Sequence, residues 1–195
     1  MHHDDELGRL TEGSGALLSK TAAQLKQVVF KETSERMMSL GDLCALVAGR
    51  VPLVLEVKSH FDGDRKLVAR MADLLASYRG PVAGMSFDPD QLLALRERMP
   101  QLPCGIIAQR SFDEDDWPLA TPSQRRGMLH LRHGFNTRPH FVAYWVNDLP
   151  ALAPWIARNI FGCPLLTWTV RTPEQRDRAA RYADQMIFEG FRPEG

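Results

Sequence analysis

Val51-Pro52-Leu53-Val54-Leu55-Glu56-Val57-Lys58 is an apolar run that ends on two charges, and its reading decides the fold. Eight residues rich in Val and Leu have the length and composition of a buried strand. Behind it, over about 65–77, apolar residues fall at Leu67, Val68, Met71, Leu74 and Leu75, the spacing of one helix face. The same unit then repeats. Strand-like runs recur at 82–87 (VAGMSF), 104–108 (CGIIA), 140–146 (HFVAYWV), 164–170 (PLLTWTV) and 185–188 (QMIF), six in all. Helical stretches lie between them: one begins near Pro89, where proline suits a first turn, and others cover 122–133, 149–159 and 173–182. A further helical region, roughly 21–29 and 39–48, precedes the first strand, with Ser39 and Asp42 spaced as a cap pair.

Strands that are apolar throughout and alternate with helices predict an α/β fold with a parallel sheet covered on both faces. An open doubly wound sheet and a closed (β/α) barrel both fit this pattern. With 195 residues, 44% hydrophobic and 25% charged, the chain fits a single globular domain, 1–195. Twenty-four basic residues balance twenty-four acidic ones, so no net field draws nucleic acid or an anionic membrane. No GxGxxG or GxxxxGK[ST] turn follows any of the strands, which removes the main support for a nucleotide site.

The opening residues Met1-His2-His3-Asp4-Asp5-Glu6 lack the apolar core of a signal peptide, and no later stretch approaches a membrane span. Cys44, Cys104 and Cys163 are odd in number and show no ligand spacing. They read as reduced core thiols, and the chain is expected to be cytoplasmic.

Chemistry concentrates at two places. Glu56 and Lys58 are two apart on a strand, so they share a face near its carboxyl end, where ligands bind in parallel α/β folds. A carboxylate there suits a hard divalent cation and an ammonium suits a phosphate oxygen; a simple Glu56–Lys58 ion pair fits equally well. The second place is His2-His3-Asp4-Asp5-Glu6-Leu7-Gly8-Arg9-Leu10-Thr11, which by itself also reads as a disordered start or a tag remnant.

The stretch from His3 to Thr11, followed by Gly13-Ser14-Gly15, resembles the HD-x-x-L-x-R-x-T motif and glycine turn of the glycerophosphodiester phosphodiesterases. Leu55-Glu56-Val57-Lys58 resembles that family's [IL]-E-[IV]-K strand. Ser86-Phe87, Pro100 and Trp168-Thr169-Val170 resemble its SF, P-x-L and W-[TN]-V elements, in the same order. The resemblance implies a (β/α)8 TIM barrel and hydrolysis of glycerophosphodiesters to glycerol 3-phosphate and an alcohol. It implies His3 as one of two acid–base histidines, Glu56 as one of three carboxylates on a Ca²⁺ or Mg²⁺ ion, and Lys58 as a phosphate contact. It also implies Phe87 and Trp168 as the apolar lining for the alcohol, and leaves Asp4 to orient His3.

The departures are as specific. The family's H-R-G strand end, P-E-N turn and E-x-D strand end are not in this sequence, so the other histidine, a phosphate-binding arginine and two metal ligands are not supplied. Six strand units against eight lead to the expectation that the first two βα units are missing. Arg171 stands where the family has Asn, and Phe188-Glu189-Gly190-Phe191-Arg192-Pro193 replaces T-D-x-P.

The acidic run Asp113-Glu114-Asp115-Asp116 reads as a solvated loop; His130, His133 and His140 read as helix-end or surface residues. His60, just past Lys58, lies nearer the strand mouth as a possible substrate contact. A non-catalytic remnant or binding domain of the same fold, and a related barrel lipase acting on phospholipids, are the competing functions.

Overall fold

The computed structural model describes residues 2–112 and 120–192. The acidic run at 113–116 lies outside them. The chain divides into two compact units, Met1–Val51 with Asp73–Gly80, and Pro52–Ala72 with Pro81–Gly195.

In the first unit, β1 (Glu6–Leu7) pairs antiparallel with β2 (Gly15–Ala16). Two isolated bridges, Thr11 to Phe30 and Val29 to Arg36, extend the irregular backbone. The helix expected over 21–29 is only α1, Ala22–Leu25, because Val29 and Phe30 take extended pairings instead. Ser39 and Asp42 cap α2 (Leu40–Val47) reciprocally, as their spacing predicts, and Ala48 ends it in the left-handed conformation.

The second unit carries the repeated β/α pattern. Its strands are β3 (Leu53–Glu56), β4 (Val82–Ser86), β5 (Cys104–Ala108), β6 (Phe141–Trp145), β7 (Leu165–Val170) and β8 (Gln185–Phe188). Between them run α3 (Lys66–Leu75), α4 (Pro89–Arg98), α5 (Pro122–Leu129), α6 (Gly134–Thr137), α7 (Leu152–Asn159) and α8 (Pro173–Tyr182). Two of the expected helices are shorter than their apolar spacing suggests. The 122–133 stretch breaks where Leu131 turns to φ 51°, and 149–159 starts late because Pro150 disfavours helix at Leu149.

All six strands are parallel and stand in the order β3-β4-β5-β6-β7-β8. A doubly wound sheet reverses direction about its first strand, whereas a barrel adds each strand beside the last, so this order is that of a barrel wall. The wall curls. Phe87, at the end of β4, and Trp168, in β7, have ring centroids 5.4 Å apart, although three strand spacings separate their strands. In a flat sheet those spacings alone would amount to about 14 Å. Inside the curl, Met85, Ile107, Phe141 and Ala143 form a buried cluster, with Ala83, Phe87, Leu166, Trp168 and Ile187 packed on it. The opposite faces of the strands bury Leu53, Leu55, Val57, Ile106 and Val142.

The three cysteines are free, and burial raises each thiol pKa, which leaves them poor nucleophiles. His140 is no bystander: its Nδ1 accepts from the Cys104 amide at 3.0 Å. His133 stands at a helix end, as the N-cap of α6, and is half-buried rather than on the surface. Both its ring nitrogens are buried without a hydrogen-bond partner, and desolvation pulls its pKa down to about 4.

A histidine depressed in the fold binds its proton more readily when unfolded, so its contribution is present above pH 6.5 and fades as pH falls towards 4. Stability should therefore drop by on the order of 2 kcal/mol between pH 7 and pH 4 through this group. Urea unfolding at the two pH values checks this, with the extra acid sensitivity lost in His133→Phe.

Candidate active-site mouth

Glu56 closes β3, and Met85 of β4 is its partner in register. The pairing continues past the strand, since the Val57 amide donates to the Met85 carbonyl at 2.7 Å. Extending the register two residues sets Lys58 beside Phe87. Met85 belongs to the inner cluster, so Glu56 and Lys58 point to the inner side, at the carboxyl end where the sheet opens.

Lys58 Nζ lies 2.9 Å from Glu56 Oε1, with the lysine side chain 39% and the glutamate 25% exposed. The contact is close enough for an ion pair, yet Oε1 has no partner in hydrogen-bond geometry. Oε1 itself is buried, while the lysine end of the pair is exposed.

The apolar part of the mouth comes from Phe87 and Trp168. Their rings meet edge to face at 90°, and the Trp168 indole Nε1–H donates to the Ala143 carbonyl at 3.2 Å, which fixes the ring. Trp145 is the residue that sequence reading passed over. It stands beside Trp168 in the β6–β7 register, on the inner parity of Phe141 and Ala143, and its place at the end of the HFVAYWV run was the available signal.

His3 belongs to the first unit. Its Nδ1 lies 2.8 Å from Asp4 Oδ1, and its side chain is 65% exposed. Arg9 grips the same carboxylate through Nε and Nη2, both at 2.7 Å, and holds Asp4 well below the usual carboxylate range. Asp4 Oδ1 is thus shared between His3 and Arg9.

A divalent ion takes about six or more oxygen ligands, usually with several carboxylates among them. Among the described residues, no three His, Cys, Asp or Glu side chains gather where they could hold one. Glu56 is a single candidate ligand, so these residues do not fit a metal cage and no chemical step is derived through one. A separate cleft of about 410 Å³ lies along α8 and β8, lined by Arg176, Asp177, Ala180, Asp184 and Met186; it includes none of the candidate residues. Among the described residues, no helix is long and apolar enough to cross a membrane.

No protein-family model matches the chain, and no curated protein matches it. Solved structures do. An Oleispira antarctica phosphodiesterase in complex with sn-glycerol 3-phosphate superposes with a TM-score of 0.75 at 16% identity, over 96% of this chain and 74% of that one. A glycerophosphodiester phosphodiesterase from Parabacteroides distasonis gives 0.70 at 14% identity, over 96% and 72%. One from Agrobacterium tumefaciens gives 0.65 at 13%, over 96% and 76%. Coverage near three quarters agrees with six strands against the eight of a closed barrel. The chain is built on the β/α barrel fold of these phosphodiesterases.

Proposed function

We propose that the mouth of this chain recognises glycerophosphodiesters, the substrates of a hydrolysis that yields sn-glycerol 3-phosphate and an alcohol, and that the 195-residue polypeptide by itself supplies only part of the hydrolytic machinery. The observation that carries this reading is the placement of Lys58, Phe87 and Trp168 on one face, at the carboxyl end of a curled parallel sheet. That end is where barrels of this kind bind their ligands. Lys58 would take the phosphate as a point charge, and the Phe87–Trp168 edge would meet the alcohol. His3, which pairs with Asp4 within the first unit, is the side chain to which the proposal assigns acid–base chemistry.

The Ca²⁺ or Mg²⁺ ion that the resemblance implies would find Glu56 as its one carboxylate among the described residues, which do not form a cage for it.

A non-catalytic binding domain of the same fold is the second reading, and the Glu56–Lys58 pair together with the solitary carboxylate favours it. Glycerophosphocholine hydrolysis separates the two. With one acid–base histidine and one carboxylate, the 195-residue polypeptide is expected to turn it over near the uncatalysed rate in Ca²⁺ or Mg²⁺. Robust turnover, abolished by EDTA and by His3→Ala, would replace the binding reading with a catalytic one for this polypeptide.

A further inference from the structure

The Ser86-Phe87-Asp88 turn after β4 does more than carry an apolar ring. Ser86 and Asp88 are 1% and 4% exposed, a depth at which polar groups must find partners. Their partners lie on both sides of Lys58. Ser86 Oγ donates to the Val57 carbonyl at 2.7 Å, and Ser59 Oγ donates to Asp88 Oδ2 at 2.5 Å. Ser86 Oγ also accepts from the Asp88 amide, at 3.1 Å. Ser59 Oγ in turn accepts from the Phe61 amide at 3.0 Å, steadying a residue held at φ 57°. Asp88 Oδ1 is occupied separately, accepting from the Asp90 amide at the start of α4.

The loop beyond is tied to the same helix. The Gln91 amide nitrogen donates to the Asp64 carbonyl at 2.9 Å, and Arg65 pairs with Asp90 and Glu97. Lys58 thus sits on a short stretch of backbone whose neighbours on each side are anchored to the turn that presents Phe87.

We infer that Asp88, acting through Ser59, is a positioning residue that fixes the Lys58 ammonium relative to the Phe87 ring, and so sets the spacing at which a phosphate and its ester alcohol are recognised together. This inference rests on the proposed site at the mouth. Asp88 touches no substrate in this account. Its buried carboxylate converts the separation between two strand ends into a fixed separation between a charge and an apolar edge. That distance is a specificity determinant for a ligand that carries both.

Ser59→Ala removes the bridge but leaves the Asp88 cap on α4 intact, Ser59→Thr keeps the hydroxyl, and Asp88→Asn keeps the cap while removing the anionic acceptor. Two readouts are needed. Hydrogen exchange of the Phe61 amide reports the tie without ligand, and NMR titration with sn-glycerol 3-phosphate reports its consequence. Ser59→Ala and Asp88→Asn should speed Phe61 exchange and weaken binding about fivefold, with Ser59→Thr close to wild type. In a Lys58→Met background, Ser59→Ala should add nothing, because the bridge acts through Lys58.

Equal weakening by Ser59→Ala in both backgrounds, or wild-type affinity in Ser59→Ala, would overturn the positioning role. Failure of the wild-type chain to bind sn-glycerol 3-phosphate would instead overturn the site and the positioning role with it. That failure is recognisable on its own because Phe61 exchange is measured without ligand.

Discussion

Gly105→Ala is expected to destabilise the protein by about 3 kcal/mol, the upper end of what an overpacked core costs. Gly105 lies in β5 opposite Phe141 of β6. A Cβ at this position would stand 2.1–2.4 Å from three atoms of the Phe141 ring, a separation that packed carbons never reach. The ring cannot swing aside, since it packs among Met85, Ile107 and Ala143 in the centre of the curl. The glycine is therefore what lets the inner face close over an aromatic. In a chain of this size the loss should appear as a melting temperature lower by roughly 10 °C. Gly134→Ala is the matched control, because a Cβ there meets nothing within 4 Å. A Gly105→Ala protein that melts with the wild type would mean that Phe141 does not fill the space the curl assigns to it.

Lys58→Met should weaken binding of sn-glycerol 3-phosphate at least tenfold, the loss of one charge-assisted contact of about 1.4 kcal/mol or more. Methionine keeps most of the apolar stem and removes the ammonium, so packing at the end of β3 is little disturbed. Glu56→Gln should act in the opposite direction when no metal is added. It removes the carboxylate 2.9 Å from Lys58 Nζ, and with it both a competitor for the ammonium and a repulsion towards the phosphate. Tighter binding in Glu56→Gln with weaker binding in Lys58→Met would establish that the two charges compete for the same ammonium. Isothermal titration at low ionic strength, where exposed charges are least screened, gives both affinities.

What the sequence made legible follows from which interactions are local. The six strands are apolar runs bounded by turn residues, and Ser39 three residues before Asp42 is a capping pair at any tertiary context, so these features could be read directly. Glu56 and Lys58 on one face follow from the period of a strand. The choice between a doubly wound sheet and a barrel could not be read this way. It depends on which strand ends lie side by side, and that is set by packing among residues as far apart as Phe87 and Trp168.

The anchoring of Lys58 was hidden for the same reason. Ser59 and Asp88 are 29 residues apart, and nothing in either residue's neighbourhood announces the other. His133 is a partial case: its place at a helix end was legible, but the burial of both ring nitrogens was not, because it depends on the turn at Leu131. The pairing of His3 with Asp4 was legible as adjacent residues, while the double grip of Arg9 on that carboxylate needed the turn that brings it back.

The central claim is that the mouth formed by Lys58, Phe87 and Trp168 recognises a phosphate carrying an alcohol. Amide and indole chemical shifts, followed while sn-glycerol 3-phosphate is added to ¹⁵N-labelled protein, test it most directly. The account predicts shifts concentrated at 57–61, at Phe87 and at the Trp168 indole N–H, and greatly reduced in Lys58→Met. Shifts confined to the α8–β8 cleft around Arg176 and Met186, or no shifts at millimolar ligand, would contradict it.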